Sequence, residues 1–516
     1  DAVLYFFILL YSDRMTDCDM VKLQNGSDIR GIAVSGVEGE NVNFTEAACS
    51  RIGQAFVLWL SKKIDKPLSA LTIGIGRDSR ISGPSLSAAL AKGMAFQGAR
   101  VVDCGLSTTP AMFMSTVFPE TKYDGSVMMT ASHLPFNRNG AKFFDRDGGL
   151  EHDDIESILK SAASLSEAFS DSPLASFDLL SLYAAHLRKT ICAELAKSES
   201  DKPLAGLRIA VDAGNGCAGF FVSSILQPLG ADTAGSRFLE ADGMFPNHIP
   251  NPENKAAMEA ARSATVEAGA DLGLIFDTDV DRMSAVLHTG AEVNRDAIIA
   301  MISAILAPSY PGGTIVTDSV TSDRLTYFLE KVLGLRHLRY MRGYKNVINK
   351  CKELNAKGIV SPLAMETSGH GALKDNYYLD DGAFLAVKLI IALAKAKAEG
   401  KTIDSLIARL PPLVEECEYR FKIGTDDFKT YGKTVLDAFK KRAEDAGWEL
   451  PESYEGIRVS FKGGDARGWM LLRLSLHDPV MPLNIEGERK GDAEKIIKIA
   501  KTLLSGFDKL DMSCLP

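Results

Sequence analysis

Three carboxylates alternate in one short run, Asp277, Asp279 and Asp281 of DTDVDR, directly after the apolar stretch Leu272–Phe276. Side chains at i, i+2 and i+4 of an extended segment, or in a tight loop, can point the same way. Such charges repel unless a cation sits between them. All-oxygen ligation suits Mg²⁺, which keeps positions for water or a substrate phosphate. An EF-hand needs Gly at its sixth position and Glu at its twelfth; here Arg282 and His288 stand there, which excludes it. A solvated acidic turn is the plain alternative, and the buried strand feeding the loop ranks metal ahead of it. Arg282 reads as a phosphate clamp.

A second passage, MMTASHLPFNRNGAKFF (128–144), flanks a loop with two strand-like runs and holds Thr130, Ser132, His133 and Lys142. A small hydroxyl beside His and Lys suits a nucleophile or phosphoryl carrier, although serines in such loops more often make turns. The spacing is not that of G-x-S-x-G. The third passage, METSGHGALKD (365–375), sets Glu366, Ser368 and His370 around Gly369 and Gly371. It reads equally as a structural turn or as a loop that hydrogen-bonds sugar hydroxyls.

Taken together and in this order, the passages resemble the α-D-phosphohexomutase family, which includes phosphoglucomutase and phosphomannomutase. The resemblance runs from about residue 22 to the C-terminus, and takes in GSDIRG (26–31), GRDSRISG (76–83), DGMFPNHIPNPE (242–253) and GYKNV (343–347). It implies an intramolecular phosphotransferase of the isomerase class, interconverting hexose 1-phosphate and hexose 6-phosphate of glucose or mannose. Hexose 1,6-bisphosphate is the implied intermediate and activator. By the same resemblance Ser132 is the phosphoserine, and Mg²⁺ lies between its phosphoryl oxygen and Asp277, Asp279 and Asp281. Lys142 is the general acid/base, with His370 sharing that work. Glu366 and Ser368 read sugar hydroxyls, and Arg30, His133, Arg282 and Lys345 bind substrate.

One segment departs from the family. Its last-domain phosphate loop resembles R-x-S-x-T-E-P-x-x-R, whereas this chain has RLSLHDPVMPLN (473–484). Arg473, Ser475 and Pro479 stand, but His477, Asp478 and Pro482 replace the Thr, Glu and final Arg. Proline cannot donate even a backbone N–H. The alternative function is therefore a catalytically weak or non-catalytic member acting as a sugar-phosphate-binding or structural protein.

These loops need elements to carry them. Short apolar strands alternate with amphipathic helices from residue 21 onward, as in LTIGIGRDSR (71–80) followed by SLSAALAKGMAFQGA (85–99). That alternation predicts parallel α/β layers, with ligands outside the carboxyl ends of strands. After about residue 415 strands dominate, as in YRFKI, IRVSFK and GWMLLRLSL. The expected fold is three similar α/β domains plus a C-terminal α+β domain, which the resemblance implies are set around a central cleft. The expected divisions are a leader at 1–20 and domains at 21–200, 201–308, 309–414 and 415–516.

The 516 residues, 46% apolar and 24% charged, exceed one hydrophobic core and exclude disorder. A net charge of −9 leaves no footprint for nucleic acid or anionic lipid; the partner that the resemblance implies is a small sugar phosphate. Eight cysteines without C-x-x-C spacing argue against a zinc ribbon or a disulfide framework. The apolar run at 2–11 is too short to span a bilayer and lacks a basic n-region. A monomer or small homo-oligomer is expected in the cytoplasm, or in a plastid stroma if that run is a targeting remnant.

Overall fold

The structure is a computed structural model that describes residues 17–475 and 478–516. The apolar run at 2–11, most of the expected leader and His477 lie outside the described residues. The chain forms two compact units. The first runs to Val293 and adds Ser368–Gly371 and Asn376–Ile403; the second comprises Asn294–Thr367, Ala372–Asp375 and Asp404–Pro516.

In the first unit, β1 (Asp28–Ile32), β2 (Thr72–Arg77), β3 (Arg100–Leu106), β4 (Gly125–Met129) and β5 (Arg138–Asp145) share a sheet in spatial order β1-β5-β4-β2-β3. Strands β3 and β4 run parallel to β2. The helices Gly83–Phe96 and Thr109–Met114 supply the crossovers that parallel neighbours need. The expectation of parallel layers is corrected at β5, which returns antiparallel to β4, and at β1, antiparallel to β5. The reason is the connection: residues 130–137 are too few for a crossover, so the chain can only turn back.

Helices Glu46–Ile64 and Gly83–Phe96 cover this sheet, with Ile52, Phe56, Leu90, Ile73, Val127 and Phe143 in one core. Their close approach depends on glycine. A Cβ on Gly93 would stand 2.2 Å from the Ser50 carbonyl oxygen, and one on Gly53 2.3 Å from that of Leu90.

A second sheet holds β6 (Ile209–Asp212), β7 (Leu272–Phe276) and β8 (Met283–Leu287). Strand β7 is parallel to β6 and antiparallel to β8, so DTDVDR is again a short return from a fully buried strand. Helix Lys255–Glu267 lays Ala257, Met258 and Ala261 on Ile275 and Val286.

The second unit starts at Asn294 and opens with helix Asp296–Leu306. Asp296 is bound to Arg324 at 2.9 Å, which ties that helix to the chain following it. Strand β9 (Thr314–Thr317) lies between and parallel to β10 (Arg336–Arg339) and β11 (Leu363–Met365). Beyond them β12 (Glu415–Ile423), β13 (Ile457–Phe461), β14 (Gly468–Leu472) and β15 (Val480–Gly487) make an antiparallel sheet in order β13-β14-β15-β12. Helices Phe428–Asp445 and Asp492–Leu503 close it over Phe421, Phe439, Phe461, Leu483 and Ile496, an α+β arrangement. Among the described residues no helix is long and apolar enough to cross a membrane.

Candidate functional site

Ser132 heads the turn between β4 and β5 at φ 52°, a conformation that non-glycine residues adopt at a cost and that concentrates at functional sites. Its backbone N–H donates to Thr130 Oγ1 at 2.9 Å. Its hydroxyl is buried and donates to Asp277 Oδ2 at 3.1 Å, while Arg282 donates to Ser132 Oγ at 3.2 Å and to His133 Nδ1 at 2.6 Å. The second-passage serine and the first-passage carboxylates thus form one site within the first unit.

Asp277, Asp279 and Asp281 are all buried, and one oxygen of each lies within 4.8 Å of the others. Lys142, inward-facing on β5, binds Asp279 Oδ2 at 2.9 Å and also Asp281 Oδ2. Thr109 donates to Asp279 Oδ2 at 2.5 Å. Oδ1 of Asp279 and Oδ1 of Asp281 are buried with no hydrogen-bond partner. Unsatisfied buried carboxylate oxygens are costly, and a divalent cation would satisfy them. The trio therefore fits a hard metal ion.

The electrostatics divide the three. Burial, then Asp281 and Asp279, push the Asp277 carboxyl well above its usual range. Burial works to raise Asp281 too, but Lys142, His370 and Arg282 outweigh it and hold that carboxyl low. His133 is pushed down to about 2, by burial first and then by Arg282 and Arg30, so its imidazole is neutral. His370 is different. Burial opposes its charge, yet Asp380 and Asp281 raise it above the usual histidine value against Arg282. Its Nδ1 sits against Asp380 Oδ2 and 3.7 Å from Asp281 Oδ1. Arg30 reaches the same loop, donating to the Ala131 carbonyl at 3.1 Å and pairing with Asp28 at 3.1 Å. Ser368 is buried with its hydroxyl unpartnered.

The other expected residues belong to the second unit. There the loops at the carboxyl ends of its parallel strands meet. Glu366 follows β11, and its Oε1 accepts from the Gly343 N–H at 2.7 Å, after β10. Asp318 follows β9, accepts from Thr367 Oγ1 at 2.7 Å, and lies 3.8 Å from Arg342 Nε. Its carboxyl is pushed up to about 7 by burial, with Arg342 opposing and Glu366 adding. Lys345 begins helix Tyr344–Ala356. Arg473 directly follows β14 and lies 3.5 Å from Glu455. Ser475 follows, its N–H donating to the Val480 carbonyl at 3.3 Å.

Sequence reasoning missed the braces. Arg80 is wholly buried and pairs with Asp78 at 3.1 Å. Its other nitrogens donate to the carbonyls of Ser132 (2.6 Å), Leu134 (2.6 Å), Pro135 (2.6 Å) and Arg138 (2.9 Å), pinning the Ser132 turn from one side chain. GRDSR was the available signal. Asp380, Thr109, Asp318 and Glu455 had none beyond residue type.

Three family descriptions match this chain. "Phosphoglucomutase/phosphomannomutase, alpha/beta/alpha domain I" matches residues 22–168, domain II residues 181–290 and domain III residues 294–414. A phosphomannomutase/phosphoglucomutase of Pseudomonas putida is 30% identical over 84% of this chain and 87% of its own length. A phosphoglucomutase of Neisseria gonorrhoeae is 27% identical over 91% of this chain and 94% of its own. A solved phosphoglucomutase/phosphomannomutase family protein of Burkholderia thailandensis has the same fold, with a TM-score of 0.77 at 24% identity, covering 96% of this chain and 98% of that one.

Proposed function

The chain belongs to the phosphoglucomutase/phosphomannomutase family, and from that premise we propose that it is a phosphohexomutase interconverting the 1- and 6-phosphates of glucose or mannose. The relatives named for those reactions support the activity. The observation that carries the residue assignment is the Ser132 hydroxyl 3.1 Å from Asp277 and 3.2 Å from Arg282, in a strained turn beside two unsatisfied carboxylate oxygens.

In this reading Ser132 carries the phosphoryl group. A substrate hydroxyl attacks it, the Ser132 Oγ–P bond breaks as the sugar O–P bond forms, the hydroxyl proton passes to whichever of Lys142 and His370 is neutral, and the other, protonated, gives a proton to the departing Ser132 Oγ. The hexose 1,6-bisphosphate so formed returns its other phosphoryl group to Ser132, whose hydroxyl proton passes to the same pair as the departing sugar oxygen takes a proton back from it. Lys142 is placed to hold a proton beside Asp279 and Asp281, and His370 to hold one against Asp380. Arg282 and Arg30 compensate the roughly −1.5 to −2 charge of a phosphoserine. Asp277, Asp279 and Asp281 with the phosphoserine would hold Mg²⁺, which supplies divalent charge against the phosphoryl oxygens. Glu366 and Ser368 read hydroxyls, and Lys345, Arg473 and Ser475 bind the substrate's anionic end. His133, neutral, takes the Arg282 hydrogen bond and orients it.

We also propose four domains, and a reducing setting in cytoplasm or stroma. Cys49, Cys104, Cys192, Cys217, Cys351, Cys417 and Cys514 are free thiols, as expected there. The non-catalytic alternative rests on the altered 473–484 segment alone. The test is conversion of glucose 1-phosphate and mannose 1-phosphate with magnesium and a trace of the 1,6-bisphosphate, alongside mass mapping of the chain. Phosphate on Ser132 and turnover abolished by Ser132→Ala are expected. Turnover that survives this substitution overturns the assignment, and no turnover of either sugar supports the alternative.

A further inference from the structure

The departure at 473–484 poses a charge problem. Pro482 lies within strand β15, opposite Arg420, and its carbonyl accepts from the Arg473 N–H at 3.1 Å. The Ser475 N–H is spent on Val480, and the Asp478 and Pro479 carbonyls are spent on Val480 and Ile423. Within the described part of this segment, a phosphate dianion therefore finds the Arg473 guanidinium and the Ser475 hydroxyl. Tight phosphate recognition calls for more charge-assisted donors than that.

A second arginine, Arg342, is tied to Arg473 through Glu455. Gly456 has φ 68°, and a Cβ there would lie 2.3 Å from the Leu472 carbonyl oxygen and 2.7 Å from Arg473 Cβ. Only glycine lets this turn press so close to Arg473. The neighbouring Glu455 then spans two loops. Its Oε1 lies 3.5 Å from Arg473 Nη1, while its Oε2 accepts from the Arg342 N–H at 3.0 Å and from Ser319 Oγ at 2.6 Å. Tyr454 and Tyr340 reinforce the junction, with ring centroids 4.9 Å apart. Arg473 is held below the usual arginine range, by burial first and then by the Arg342 charge. Its Nε is buried with no hydrogen-bond partner, and the residue is 7% exposed.

We propose that Arg342 and Arg473 together grip the substrate phosphate that is not being transferred, Arg342 supplying the charge that the altered 473–484 segment lacks. Two guanidiniums side by side repel, and their forks match phosphate oxygens. Glu455, Asp318 and Glu418 offset part of that repulsion when no ligand is bound. A bound dianion offsets the rest and satisfies Arg473 Nε. The inference rests on the phosphohexomutase reading for its substrate class, a hexose phosphate.

The test uses the full chain as wild type, Arg342→Gln, Arg342→Lys, Arg473→Gln and the double glutamine variant. With glucose 1-phosphate, Arg342→Gln is expected to raise KM about 10- to 100-fold with kcat changed by less than about 3-fold, and the lysine variant to recover part of the loss. Calorimetric titration of glucose 6-phosphate into Ser132→Ala chains should show the same loss of affinity. The double variant should lose less than the product of the single losses, because both arginines hold one phosphate. KM and affinity unchanged within about 2-fold in Arg342→Gln, or single losses that simply multiply, would overturn the grip. The two readings fail separately. A wild type that turns over no hexose phosphate, yet loses affinity on Arg342→Gln, keeps the grip and sinks the mutase. Turnover indifferent to Arg342 does the reverse.

Discussion

Two clusters of charged side chains, one in each unit, are built differently. In the first unit, Ser132, Lys142 and the three aspartates sit on or beside short antiparallel returns, and they bind one another directly. In the second, Asp318, Arg342, Glu366, Glu455 and Arg473 come from separate loops, and bridging carboxylates join them. A turn between paired strands has few conformations, so its side chains are preorganised without further help. Loops that meet from separate elements need glycine clearance and shared acceptors. Under the proposed function, the difference fits bond-making by the rigid cluster and substrate grip by the adaptable one.

The sharpest way to break that contrast is one substitution in each cluster. Asp281→Asn removes a carboxylate that Lys142 and a metal ion would share, and kcat should fall about 10²- to 10³-fold with little change in KM. Chelation should abolish turnover and added Mg²⁺ restore it. Glu366→Gln removes the proposed sugar-hydroxyl acceptor, and about a 10-fold rise in KM is expected, with a smaller effect on kcat. Steady-state kinetics decides. Were Asp281→Asn to act on KM alone, the division of labour would collapse.

This contrast also explains what could be read in advance. The first cluster was legible because its residues lie in contiguous motifs, TASH and DTDVDR, whose local spacing is itself the chemistry. The α/β alternation and the late α+β segment were legible from periodicity. The antiparallel return at β5 was not, although its cause, a connection over 130–137 too short for a crossover, lies in the chain. Arg80, Asp318 and Glu455 act through partners 49 to 136 residues away in sequence, and no spacing rule records such pairs. Gly456 shows the same limit: its need comes from Leu472 and Arg473, not from its own turn.

A middle-sized effect tests how the rigid cluster keeps its shape. Arg80→Met leaves Asp78 buried without its cation, a change that costs about 3–5 kcal/mol. The unfolding temperature should fall by about 6–15 °C. It also frees the carbonyls of Ser132, Leu134, Pro135 and Arg138, so kcat should drop about 10- to 100-fold through misplacement of the nucleophile. The double variant Asp78→Asn/Arg80→Met separates the two effects. It should recover most of the stability and little of the kcat. Full recovery of both would make Arg80 a structural pair and nothing more.

The smallest effect concerns the loop that backs Arg80. Gly243 comes so close that a Cβ would lie 2.6 Å from Arg80 Cα, and the Phe245 ring lies 5.3 Å from the Arg80 guanidinium. His248 anchors this loop, with Nε2 3.0 Å from Asp212 Oδ1 at the end of β6 and Nδ1 3.0 Å from the Ile249 carbonyl. Burial opposes its charge, but Asp212 and that carbonyl raise it above the usual histidine value. A raised folded-state value means that the protonated form stabilises the fold. That contribution is complete below the unfolded histidine value of about 6.5 and is lost as pH rises through the folded one. Wild type should therefore lose stability relative to His248→Gln as pH goes from about 6 to about 8, a gap of roughly 1 kcal/mol at the acid end closing toward the alkaline end. Paired denaturation curves across that range measure it. A gap that widens with pH would mean that His248 is buried neutral, and that the loop rests on Gly243 and Phe245 alone.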